Sequence, residues 1–320
     1  AMAEAGFSQT PEKAHKLLID TGVWPLTRNP YPTRCGLSMT SASEGLAVPP
    51  EEERLFVQSR AYAIDNAWSE DPDDAIAWDG EYLWVHVADP ASSVMPDSSI
   101  DKTARQRGTT LYLPEGTSRM LAETSLADYA LGLNETSRAL SFRIRFDDKG
   151  GIDDCAVFKT LVNVERLTYE KADRLKDSPE LKPLFDIAKR NIERRKRAGA
   201  CSVDLPEVHI SVDEETKKVS IEPEIRYESG DTVREMMLLA GEGAARFAFK
   251  NGIPFPYVSQ EAPAIPSDLP PGLAGDFRLL RCMRKRSVGI TPAPHAAIGV
   301  SMYSQVTSPL RRYGDLIAHE

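Results

Sequence analysis

YAIDNAWSEDPDDAIAWDG, residues 62–80, sets apolar segments on either side of a dense acidic run. Between Asp65 and Asp74 lie Asp65, Glu70, Asp71, Asp73 and Asp74. Like charges at this density repel, and a fold ordinarily spreads them over solvent. Two readings are open: a solvated acidic loop, or carboxylates gathered around a cation.

The flanking sequence supplies strands for this loop to sit on. In EYLWVHVAD (81–89), Leu83, Val85 and Val87 share one face, and Tyr82, Trp84 and His86 the other. Apolar groups on both faces predict a strand buried on both sides. LSFRIRF (140–146) alternates, with Leu140, Phe142, Ile144 and Phe146 predicted to face in and Ser141, Arg143 and Arg145 out. CAVFKTLVNV (155–164) reads as another strand. Residues 178–199 read as a long helix with Ser178 as N-cap and Pro179 at its first position. A second helix runs through 231–252, with Gly241 and Gly243 weakening its middle. VHISVDEETKKVSIEPEI reads as a hairpin with a polar turn. At the N-terminus, Thr10, Pro11 and Gly22 punctuate a short helix, and the Ser-, Pro- and Glu-rich stretch 38–53 reads as a linker. The predicted class is α+β. A small helical unit spans 1–50, and a larger domain with a mixed or antiparallel sheet spans 51–320.

Composition narrows the function classes. A chain of 320 residues with 41% hydrophobic and 27% charged residues is ordinary for a globular protein. No apolar run is long enough to span a membrane. No secretory signal is visible. Cys35, Cys155, Cys201 and Cys282 stand far apart, so neither zinc nor a disulfide framework is expected, and the cytoplasm is the expected compartment. The net charge of −9 argues only weakly against nucleic acid, because KRNIERRKR (189–197) and RLLRCMRKR (278–286) cluster the basic residues. Each run reads equally as a solvated helix face.

Carboxylates alone offer hard oxygen ligands, which suit Mg²⁺ or Mn²⁺. The EF-hand pattern fails, because Ile76 stands where that loop needs glycine. YSQVTSPLRRYGDLIAH (303–319) adds a Ser-Pro turn and two arginines. Arginine donates paired hydrogen bonds to phosphate. Acidic cation ligands and an arginine together are what phosphoryl chemistry needs.

AIDNAWSEDPDDA, VHVADP, RGTTLYLPE, RAGACSVDLPE, REMMLLAGEGAA and TSPLRRYGDL occur in an order and spacing that resembles the RNase II/RNase R (RNB) family of processive 3′→5′ exoribonucleases. The resemblance covers roughly residues 55–320. It implies the RNB catalytic fold and Mg²⁺, with Mn²⁺ as a substitute, held by Asp65, Asp71, Asp73 and Asp74. Asp71 and Asp73 would also position the attacking water. It implies single-stranded RNA as the partner and nucleoside 5′-monophosphates as products, from a chain expected to act as a monomer. Arg311 matches the residue that stabilises the scissile phosphate, with Arg312 as its neighbour. Tyr112 matches a tyrosine that stacks on the 3′-terminal nucleotide. Tyr169 and Glu235 match positions that contact ribose. Val203 stands where the family has a base-stacking aromatic, and Gly241 where it has asparagine. The N-terminal unit, helical and helix-turn-helix-like, is expected to stand in for the family's cold-shock domains, and the rest of the catalytic domain and the usual S1 domain are missing from these 320 residues. These departures keep open a catalytically lapsed, RNA-binding member.

Overall fold

The computed structural model describes residues 2–213, 215–216 and 218–320. Five strands, β1 (Leu55–Asp65), β2 (Asp74–Trp78), β3 (Leu83–Ala88), β4 (Ser137–Phe146) and β5 (Ile152–Thr168), close into a barrel in that order. Neighbours are antiparallel except β5 and β1, which are parallel. The length of β5 permits closure. Its residues 152–162 pair with β4, and residues 160–168 pair with β1. The sheet is therefore mixed, as the α+β reading expects.

Alternation gives each strand two different faces. Tyr62, Ile64, Ile76, Val85, Val87, Phe142 and Ile144 form the outer face, covered by helices. The inner face carries Ala61, Ala63, Ala75, Ala77, Ala88 and Ala139, small enough for so narrow a barrel to fill, together with the much larger Trp84. On this face His86 Nδ1 meets Ser141 Oγ at 2.7 Å, and Ser141 Oγ meets Thr160 Oγ1 at 2.6 Å. The alternation of 140–146 holds, with Phe142 and Ile144 buried and Arg145 exposed as expected. Ser141 differs, being fully buried inside the barrel, and Arg143 is half-buried over the rings of Tyr82, Trp84 and Phe158.

The helices that bear on the site are α1 (Pro11–Asp20), α2 (Lys182–Arg197), α3 (Glu228–Lys250) and the terminal α4 (Tyr313–His319); others, among them Ser99–Arg107 and Leu273–Cys282, lie between them. Thr10 caps α1, its hydroxyl accepting from the Lys13 N–H, and α1 buries no residue. Helix α2 begins three residues later than the sequence suggests, with Pro183 in its first turn. Ser178 instead shapes the preceding turn, accepting from the Leu181 N–H at 3.3 Å. Helix α3 begins at Glu228, earlier than the sequence suggests. Leu184 of α2 and Met236 and Leu239 of α3 are fully buried against the barrel, each contributing about 1.5–3 kcal/mol.

The glycines of α3 mark close approaches rather than weakness. A Cβ on Gly241 would lie 2.3 Å from the Tyr303 ring and 2.4 Å from the Ser304 carbonyl oxygen. The Ser304 N–H donates to the Gly241 carbonyl at 3.2 Å, so the chain 303–304 lies directly on the helix. The stretch 38–53 is irregular before β1 but docked: the Ala42 N–H donates to the Arg119 carbonyl, and the Tyr129 hydroxyl to the Ala47 carbonyl. Strands Val208–Val212 and Val219–Pro223 form the expected hairpin; Glu214 and Lys217 of its turn lie outside the described residues.

Candidate active site

Asp65 ends β1 and Asp74 begins β2, so the acidic run is the loop between two adjacent barrel strands. Its backbone is fixed from outside. The Ala88 N–H donates to the Asp73 carbonyl at 2.7 Å, and the Leu131 N–H to the Pro72 carbonyl at 3.0 Å.

The two distant motifs meet at Asp73. Its Oδ1 accepts from the Leu310 N–H at 2.9 Å and its Oδ2 from Arg311 Nε at 2.8 Å. Only Nε of Arg311 is engaged this way, and the side chain is 42% exposed. Its two terminal nitrogens therefore stay available to a ligand. The Arg311 carbonyl accepts from the Thr110 N–H at 2.9 Å, tying the motif to the turn that carries Tyr112. Arg312 donates to Asp315 Oδ2 at 2.6 Å, and Asp315 also accepts from the Ser308 N–H, so Arg312 braces the turn.

Burial dominates the electrostatics. It pushes the carboxyls of Asp73 and Asp74 up to about 7, against the pull of Arg311. Asp65 adds to the rise at Asp74, so these two charges face each other. Asp71 is also raised by burial, with Arg119 and Arg311 opposing. The Tyr112 hydroxyl is pushed up to about 12 by burial and then by Asp71. Tyr169 is raised by burial, then by Asp65 and Asp74. Both tyrosines therefore border the carboxylates, Tyr112 on the Asp71 side and Tyr169 on the Asp65 side.

The four aspartates are differently engaged. Asp73 is held by Arg311, and Asp71 by Arg119, a buried arginine that also donates to Glu70 at 3.0 Å. Asp65 accepts from its neighbour's N–H (Asn66, 2.8 Å), and among the described residues no hydrogen bond reaches the Asp74 carboxyl. Among the described residues, no three acidic, histidine or cysteine side chains are gathered closely enough to hold an ion. The donor set still suits a hard cation. Asp65 and Asp74 repel each other with no basic partner bonded to either, and their oxygens are of the type Mg²⁺ and Mn²⁺ take.

A family model described as RNB domain matches residues 54–267 and 274–320. The chain belongs to the RNB family. A model described as Double HTH domain matches residues 1–30 at the N-terminus. An uncharacterized ribonuclease of Synechocystis sp. is 36% identical, covering 96% of this chain and 50% of the relative. Ribonuclease II, chloroplastic/mitochondrial, of Arabidopsis thaliana is 31% identical, covering 98% of this chain and 43% of the relative. The chain thus spans about half the length of the curated relatives it matches. Mycoplasma genitalium RNase R, solved with ribose-methylated single-stranded RNA, shares the fold at a TM-score of 0.74 and 23% identity, over 83% of this chain and 50% of that one.

Beside the RNB carboxylates, Tyr169 and Val203 line one cavity of about 380 Å³ together with Asn66 and Arg234. Glu235 does not join them. It is fully buried, paired with Arg195 through both carboxylate oxygens and accepting from Asn191 at 2.9 Å. Its oxygens are taken up by Arg195 and Asn191 rather than offered to the cavity, since a carboxylate inside an apolar helix face is stable only when paired. The basic run 189–197 is divided. Arg194 is bound to Glu242 and Arg195 to Glu235, whereas Lys189, Arg190, Lys196 and Arg197 stay exposed as on a solvated face. The second run keeps Arg281, Arg284 and Lys285 exposed. Arg119 was missed by the sequence reading. A lone arginine in TSRM carries no local signal, and only the fold sets it beside Asp71.

Proposed function

We propose that this chain carries the catalytic site of a processive 3′→5′ exoribonuclease that hydrolyses single-stranded RNA to nucleoside 5′-monophosphates with Mg²⁺ or Mn²⁺. The observation that carries the reading is the Asp73–Leu310–Arg311 junction, which sets a free-ended guanidinium beside the acidic loop. Asp65 and Asp74 would hold the ion, with Asp71 and Asp73 at its edge. A bound divalent ion supplies a Lewis acid that polarises the phosphoryl group and acidifies a water. Asp73 fixes the plane of Arg311, whose terminal nitrogens donate to the non-bridging oxygens as charge develops there. Tyr112, half exposed, offers a ring face to the terminal base. The Tyr169 hydroxyl would read a 2′-hydroxyl, the group that distinguishes RNA from DNA. RNA would approach along the exposed arginines near residue 281, with binding that weakens as salt rises. The working form proposed is a cytoplasmic monomer; no helix among the described residues is long and apolar enough to cross a membrane.

A second reading, an RNA-binding member without turnover, is favoured by the arginines that hold Asp71 and Asp73. End-labelled RNA incubated with Mg²⁺, Mn²⁺ or EDTA separates the two. Turnover predicts mononucleotides with either metal and none in EDTA. It also predicts that Asp73→Asn stops their release by at least ~100-fold while RNA binding in EDTA persists. Binding without mononucleotides under any condition selects the second reading.

A further inference from the structure

Trp68 sits in the acidic loop between Asp65 and Asp71, with 59% of its surface exposed. The loss of water contact that would stabilise so large an apolar ring is not supplied by the core. Its ring stacks instead on His209, centroids 5.4 Å apart and planes 28° from parallel. His209 is itself exposed, on the first strand of the hairpin Val208–Val212. The Val212 N–H donates to the Pro114 carbonyl at 3.0 Å, two residues beyond Tyr112. One end of this strand thus meets the acidic loop and the other the Tyr112 turn.

Trp68 and His209 each follow closely on a residue that lines the cavity of Tyr169 and Val203. Asn66 and Glu207 both line that cavity, and two residues beyond each the chain reaches Trp68 and His209. The lining is poor in free positive charge. Asp204, Glu207, Glu224 and Asp231 contribute carboxylates, while Arg226 pairs with Asp204, and Arg234 with Asp231. Phosphates are repelled by such a wall, so a polynucleotide held here must be held by its base faces. Val203 offers no ring for that purpose.

We propose that Trp68, backed by His209, is a stacking platform for a nucleobase of single-stranded RNA at the mouth of the site. It supplies the aromatic surface that Val203 does not. His209 orients the indole by covering one face and leaves the other to the base. The inference rests on the reading that this cleft receives single-stranded RNA.

The test is equilibrium binding of fluorescein-labelled oligoadenylate to the full chain in EDTA, where no cleavage intervenes. Trp68→Leu keeps apolar bulk against His209 without a stacking face, and Trp68→Phe keeps the face. Stacking predicts that Trp68→Leu weakens binding roughly 5- to 150-fold, the range of one base–aromatic stack, while Trp68→Phe stays within a few-fold of the parent. A single abasic residue scanned through the last five positions should weaken binding to the parent at one position and cost Trp68→Leu nothing there. Equal abasic profiles for parent and Trp68→Leu would overturn the platform even if both bind RNA. Failure of the parent to bind RNA would instead overturn the reading of the cleft.

Discussion

Asp73 and Asp74 are chain neighbours with opposite circumstances. Asp73 has two donors, one of them an arginine; Asp74 has a repelling carboxylate and no hydrogen bond among the described residues. A fold keeps such a group at a cost, and the sign of that cost is testable. The Asp74 carboxyl titrates at about 7 when folded against 3.8 as the ordinary value, so the folded state holds its proton more tightly. Above pH 7 both states are ionised and folding carries the full penalty. Below about pH 4 both are protonated and the penalty is gone. Asp74→Asn should therefore raise the melting temperature of the metal-free protein by a few degrees at pH 8 and leave it unchanged near pH 3.5. A scanning calorimeter at the two pH values reads this directly. The acidity of the loop was legible in the sequence. The inequality of its members was not, because it depends on Arg119 and Arg311 arriving from other parts of the chain.

At the scale of elements, α3 shows how tertiary contact overrides local preference. Alanine is the better helix former by about 1 kcal/mol, so Gly241→Ala would stabilise an isolated helix. In the fold its Cβ meets the Tyr303 ring at 2.3 Å and the Ser304 carbonyl at 2.4 Å, and backbone cannot yield as a side chain can. A net loss of about 1–3 kcal/mol is expected from urea unfolding. The contact between α2 and α3 turns on buried charge. Removing one partner of the Arg195–Glu235 pair strands the other in the core. Arg195→Met alone should cost about 3–5 kcal/mol, whereas Arg195→Met with Glu235→Leu should fall near the parent. A double-mutant cycle in urea measures the difference. Glu235 was legible as an unusual residue in an apolar helix. Its partner was not, since the basic run containing Arg195 reads equally well as a solvated face.

At the scale of the whole molecule, closure of the barrel decides which polar groups live without water. His86 is fully buried on the inner face, and burial holds its imidazole down to about 3, against 6.5 ordinarily. The unfolded chain takes up a proton at this histidine below pH 6.5 and the folded one does not until about pH 3. Its contribution to stability is therefore complete above pH 6.5 and lost as pH falls through that window, by about 1.4 kcal/mol per unit. Asp74 acts in the opposite direction, so the histidine is isolated by difference. Urea midpoints of the parent and His86→Gln, followed from pH 7.5 to 4.5, should diverge in slope with the parent falling faster.

The sequence by itself determined β3, β4 and β5, the acidic loop, the arginine turn and their family order, because these are set by alternation, spacing and residue type within short stretches. It misplaced the start of α2, since Ser178 and Pro179 read as a cap and first helical residue, whereas the helix begins at Lys182 with Pro183 in its first turn and no side-chain cap. Only the tertiary structure decided which face of β4 counts as inside, where Arg119 and Arg195 spend their charges, and why Gly241 has no side chain. Each depends on atoms far apart in the chain meeting within hydrogen-bonding or van der Waals range. Asp73 draws both together: the sequence named it and Arg311 as separate motifs, and closure of the fold brought them to 2.8 Å.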